Sequence, residues 1–107
     1  MLELKEYLDL AGRSPFQRWM DGLNAPAAAK VTTALYRLEQ GNLSEVKGVG
    51  EGVLERRVNF GPGYRVYFGR DGDRLVILLG GGDKTSQPED IAAARTRWRE
   101  YKQRKRT

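Results

Sequence analysis

The chain has 107 residues, 39% apolar and 31% charged, which suits one domain with one modest core and excludes a two-domain enzyme. Cys and His are both absent, so disulfides, thiolate chemistry, the usual metal ligands and Ser-His-Asp catalysis are excluded. Nineteen Lys and Arg against fourteen Asp and Glu give a formal charge of +5, a balance that favours polyanionic partners.

No apolar run approaches the roughly 20 residues of a membrane span. The charged opening MLELKEYLDL lacks the apolar centre of a signal peptide, so no membrane is expected and the cytoplasm is the expected location. Residues 2–8 alternate as a strand. Ser14, Pro15 and Gln17 then set up a helix start with a capping box, and Phe16, Trp19, Met20 and Leu23 form its apolar stripe. Asn24 and Pro26 open a second helix with the stripe Ala27, Val31, Ala34, Leu35 and Leu38, closed at Gly41 or Asn42. Residues 43–52 read as a Gly-rich loop. Its Gly-Val-Gly-Glu-Gly run lacks a preceding strand and a third spaced glycine, so a dinucleotide fingerprint is not read there.

Residues 53–60 predict a strand, 61–63 a Gly-Pro-Gly turn, and 64–69 a second strand. Asp71-Gly72 marks a hairpin, and residues 74–79 predict a third strand that ends at Gly80-Gly81-Gly82. A last helix is expected from Ser86, with Glu89 completing a capping box and Ile91, Ala94, Trp98 and Tyr101 facing one way. The expected order is β-α-α-β-β-β-α, a single α+β domain over residues 1–107 with a small antiparallel or mixed sheet. Seven basic residues against one Glu in Arg95–Arg106 give it a basic tail, centred on residues 102–107.

Strand residues two apart share a face. Leu54, Val58 and Phe60 therefore point to the core, with Arg56 the odd member of that set. Glu55, Arg57 and Asn59 point the other way. Pairing across the turn sets Glu55 and Arg57 beside Arg65 and Tyr67, a polar, cationic, partly aromatic face expected to meet solvent. Asp83, Lys84, Gln87 and Asp90 gather at the start of the last helix, at the same edge as Arg65.

At these residues the chain resembles the addiction-module killer proteins, the phage-derived branch of the RelE/ParE toxin superfamily. The motifs are G-E-G-V-L-E-R-R-V, G-P-G-Y-R-V-Y-F and L-L-G-G-G-D-K-T-S-Q-P-E-D-I, followed by A-x-x-x-W. F-x-x-W-M-D-G-L and R-L-E-Q-G-N-L-S-E-V-K extend the match through the first half. The resemblance implies a RelE-like fold and the toxin of a type II toxin–antitoxin module. Its cognate antitoxin would be a DNA-binding protein of helix-turn-helix type. It implies an endoribonuclease that cuts mRNA on the ribosome by 2′-hydroxyl attack, with no metal or cofactor. Arg65 carries the phosphate-handling role, with Arg57, Lys84 and Glu55 as the other catalytic candidates. Arg56, Tyr67, Gln87, Arg97 and Lys102 are the expected RNA contacts, Tyr67 by stacking on a base. A ParE-like inhibitor of DNA gyrase and a plain nucleic-acid-binding module are the alternatives.

Overall fold

Strand alternation and helix caps organise the chain in the order β1 (Glu3–Glu6), α1 (Pro15–Asp21), α2 (Ala25–Glu39), β2 (Val46–Gly48), β3 (Val53–Val58), β4 (Tyr64–Asp71), β5 (Leu75–Gly82) and α3 (Gln87–Arg106). A 3-10 turn over Lys84–Ser86 joins β5 to α3. This is a computed structural model, and it describes residues 1–106. The sheet order is β1-β5-β4-β3-β2, with β1 parallel to β5 and every other pair antiparallel. The α+β class and the RelE-like arrangement expected from the sequence both hold. Residue 107, the end of the expected tail, lies outside the described residues.

The two faces of the sheet carry two cores. Phe16, Val31, Ala34 and Leu38 of α1 and α2 pack on Val58, Val66, Phe68, Val76 and Leu78. On the other face Ala94 and Trp98 of α3 pack on Val53, Tyr67, Ile77 and Leu79. Both starting helices are capped as expected: Ser14 Oγ accepts from Gln17 N at 3.0 Å, and Asn24 Oδ1 accepts from Ala27 N at 2.9 Å. The reciprocal half of the α1 capping box does not form, because the Gln17 amide donates forward to Asp21 instead.

Three expectations need correction. Residues 43–52 are not all loop: Val46–Gly48 forms β2 against Leu54–Arg56, so the order is β-α-α-β-β-β-β-α. Gly50, Glu51 and Gly52, all at positive φ, turn the chain back into β3. A strand leads into β3 rather than a helix here, so the dinucleotide fingerprint still fails. Gly80, Gly81 and Gly82 lie inside β5 rather than ending it. A side chain at Gly81 would start 2.2 Å from Trp19, and one at Gly82 would start 1.8 Å from Asp90. The glycines thus let α1 and α3 press onto the sheet. Finally, α3 begins at Gln87. Asp83 caps the 3-10 turn, while the Ser86 hydroxyl donates to Asp90 at 2.5 Å and does not cap the helix.

Polar clamps hold α3 down as well as its short apolar stripe does. The Arg95 guanidinium donates to the Val49 carbonyl, and Arg99 donates to Glu51 at 2.8 Å. Arg104 donates to the Leu8 carbonyl at 2.6 Å, and Lys105 pairs with Asp71. The tail's charge is therefore largely engaged with the rest of the fold.

Tyr101 donates to Asp71 at 2.6 Å. The Lys105 ammonium and then the Tyr101 hydroxyl hold the Asp71 carboxyl below its ordinary range. Burial first, then Asp71, raises the Tyr101 phenol to about 12. Asp71 thus contributes stability that is present above the ordinary carboxylate range and is lost as pH falls through its lowered pKa. Tyr101 contributes stability that is complete below about pH 10. That contribution is lost as pH rises through about 12. Melting temperature against pH should fall on both flanks, and Asp71→Asn should flatten the acid flank. An unchanged acid flank in that variant would remove Asp71 from the account.

Candidate functional site

The short turn between β3 and β4 fixes the register that builds the site. Arg57 stands opposite Arg65, and Glu55 opposite Tyr67. Gly61 and Gly63 take positive φ in that turn. Arg65 Nη1 donates to the Gly63 carbonyl at 3.0 Å. A side chain at Gly63 would start 3.7 Å from Arg65 Nη1 and 4.0 Å from Lys84 Cβ. Arg57, Arg65 and Lys84 consequently line one open groove of about 330 Å³ at the turn. Arg57 and Lys84 are exposed on its rim, while the Arg65 side chain is 11% exposed.

Two guanidinium groups directly across a strand pair repel one another. The counter-charge sits beneath them. Glu55 is 1% exposed. Its Oε1 lies 3.5 Å from Arg65 Nε and accepts from Gln87 Nε2 at 2.8 Å. Its Oε2 lies 3.8 Å from Lys47 Nζ. The single carboxylate therefore faces one cation on β4, one on β2 and an amide at the start of α3. The groove rim keeps a net positive charge suited to a phosphate, which a planar two-pronged donor grips well.

The face carrying Glu55 and Tyr67 was expected to meet solvent, and instead α3 covers it. Tyr67 is 0% exposed, so its ring offers no surface on which a base could stack. Burial, then the Glu55 and Asp90 carboxylates, push its phenol well above the ordinary value, and it stays protonated. Arg56 lies on the α2 side of the sheet, as its place in the apolar set implies, 5% exposed and away from the groove, so it is not a contact for RNA held there. Gln87 is within the site, beside Glu55 rather than on the rim. Arg97 lies beyond β5, where its Nη1 donates to the Leu79 carbonyl at 2.9 Å. Burial lowers its pKa. Lys102 follows Gln87 by about four turns, roughly 22 Å along α3, and lies over the Trp98 ring at 5.6 Å. Neither residue reaches the groove. Sequence reasoning missed Lys47, because β2 is too short to show an alternation of its own.

Residues 18–99 match the family described as phage-derived protein Gp49-like (DUF891). The chain belongs to that family. The Gp49-like proteins fall within the RelE-like toxin superfamily, which agrees with the fold above. A relative, an uncharacterized protein of Haemophilus influenzae, is 43% identical over 81 residues, covering 75% of this chain and 82% of its own length. The Gp49-like match spans every groove residue, together with Glu55, Gln87, Arg56 and Arg97, and it stops short of Lys102. Among the described residues of this Gp49-like chain, no helix is long and apolar enough to cross a membrane. Among them, too, no three His, Cys, Asp or Glu side chains gather where they could hold a metal ion.

Proposed function

We propose that this Gp49-like protein is the toxin of a toxin–antitoxin pair and acts as an endoribonuclease at the Arg57–Arg65–Lys84 groove. The convergence of those three cations on one open groove, over a buried carboxylate, is the observation that carries the reading. Family membership supports the toxin role and its cognate antitoxin.

The reaction is an in-line displacement within the RNA. The 2′-oxygen forms a bond to the adjacent phosphorus as the bond to the 5′-oxygen breaks, giving a 2′,3′-cyclic phosphate and a 5′-hydroxyl end. The substrate supplies its own nucleophile, so the protein's task is to hold the phosphate and stabilise the charge that develops on it. Arg65 and Arg57 grip the non-bridging oxygens. The proton of the 2′-hydroxyl passes to water in the open groove, and Lys84, on the rim, gives a proton to the departing 5′-oxygen. Glu55 is sealed behind Arg65 and serves as a positioning residue: its carboxylate draws the guanidinium in at 3.5 Å from Nε while Nη1 is tied to the Gly63 carbonyl, which fixes the fork at the groove wall. The substrate is mRNA engaged on the cytoplasmic ribosome. The antitoxin, a DNA-binding protein of helix-turn-helix type, silences the toxin by covering the groove with an acidic segment.

Expression of the chain without antitoxin, followed by mapping of new 5′ ends in cellular RNA, tests the reading. New 5′-hydroxyl ends should appear in translated messages and vanish when translation initiation is blocked. Intact message with a DNA-damage response would overturn it in favour of gyrase inhibition. Intact message with salt-sensitive RNA binding would leave only a binding module.

A further inference from the structure

A second cavity, of about 390 Å³, lies on the opposite face of the sheet between α2 and the β2–β3 edge. Lys30, Arg37 and Arg56 line it, and Glu45 is the one acidic residue among its walls. Arg56 is 5% exposed. It donates to the Arg57 carbonyl, but its buried Nε has no hydrogen-bond partner. Among the described residues, none of the three cations lies within 4.0 Å of a carboxylate. Lys30 is instead drawn over the Phe60 ring at 5.6 Å.

Arginine is seldom buried without a paired anion, because desolvation of the charge must be offset. Here desolvation acts against the Arg56 charge, Glu45 opposes that effect, and Arg37 adds to it by repulsion. Glu45 acts on Arg56 only at a distance, so the arrangement lacks an anion in contact with it. We propose that this cavity is a phosphate-binding site in which Arg56, Arg37 and Lys30 hold one phosphate group.

The phosphate could belong to an RNA backbone or be free inorganic phosphate, and the chemistry of capture is the same. Geometry favours RNA. Val58 and Asn59 line both this cavity and the Arg57–Arg65–Lys84 groove. The register of β2 with β3 ends at Val46 opposite Arg56, and a last backbone bond runs from Arg57 N–H to the Glu45 carbonyl, so Val58 and Asn59 lie past the paired edge. A single strand could therefore pass around this edge from one site to the other. The phosphate site stands independently of the cleavage reading, whereas RNA as its source rests on it.

Inorganic phosphate titrated into isotopically labelled protein at constant ionic strength, followed by NMR, provides the test. Phosphate should shift the Arg56 Nε–H resonance and its neighbours in the wild type. The shifts should persist in Arg57→Ala/Lys84→Ala, which disarms the groove at exposed positions. In Lys30→Ala/Arg37→Ala, also exposed positions, binding should weaken about tenfold or more. Absence of shifts at the cavity, or shifts unchanged in Lys30→Ala/Arg37→Ala, would overturn the site. A second arm measures binding of an oligonucleotide blocked at the 2′ positions, which needs no cleavage. If RNA is the source, Lys30→Ala/Arg37→Ala weakens its binding and lowers the salt slope by about 0.7 for each phosphate the variant no longer neutralises. Phosphate shifts with unaltered oligonucleotide binding would assign the site to inorganic phosphate and overturn the RNA source.

Discussion

Replacing Arg65 with lysine is expected to lower the rate of RNA cleavage about 10²–10³-fold while leaving the protein folded. The Arg65 side chain makes two kinds of contact at once. Nη1 donates to the Gly63 carbonyl, and Nε faces Glu55. Lysine preserves the positive charge beside the buried carboxylate, so the ion pair that keeps Glu55 in place survives. It cannot reproduce the fork. One compact ammonium held by Glu55 has no fixed second arm to aim at a phosphate oxygen. The expected loss corresponds to one well-placed donor to the developing charge, about 3–4 kcal/mol. Single-turnover cleavage of an oligonucleotide gives the rate, and a thermal melt reports the folding. Arg57→Ala should cost activity without moving the melt, since Arg57 is exposed on the rim. A lysine variant that cuts RNA at the wild-type rate would show that charge alone suffices, and the two-pronged grip would have to be abandoned.

The register that places Arg57 opposite Arg65 was legible in the sequence, because a short Gly-Pro-Gly turn between two alternating strands leaves little freedom in their pairing. Lys84 and Gln87 were legible for a similar reason: the chain must pass from β5 to α3 at the same edge. The burial of Glu55 and Tyr67 was not legible. Alternation divides strand residues into two sets, and a set containing Glu55, Arg57 and Asn59 reads as solvated when its cover is a helix rich in Arg and Lys. The sign of that cover lies in the glycines. Gly69, Gly80 and Gly82 each face a side chain of α3: Trp98, Arg97 and Asp90. Read alone, the Gly80-Gly81-Gly82 run signals the end of a strand. Only the docked helix shows that the missing side chains make room. Arg56 shows the complementary failure. Its position in an apolar set correctly pointed inward, but the cavity that receives it depends on α2 and β2 together.

The pairing of Gly69 with Trp98 gives the largest expected effect on stability. Trp98 is 5% exposed and stacks on Tyr101, with ring centroids 5.3 Å apart. A Cβ at Gly69 would start 2.6 Å from Trp98 Cδ2 and Cε3, far inside van der Waals contact. Trp98→Ala should cost about 3–5 kcal/mol through reduced burial and a cavity, a large share of the roughly 5–15 kcal/mol typical of a domain. Gly69→Ala should cost about 1–3 kcal/mol, because the indole must give up its place against the sheet. The two losses should not add. Once the indole is gone, alanine at position 69 meets no clash. It also lies in an ordinary strand conformation, where alanine is less costly to order than glycine. In the Trp98→Ala background, Gly69→Ala should therefore be close to neutral, giving a coupling energy of about 1–3 kcal/mol in a double-mutant cycle. Urea unfolding of the four proteins measures it. Additivity within about 0.5 kcal/mol would mean that the sheet and α3 are not in the contact that seals Glu55 and Tyr67 beneath the helix.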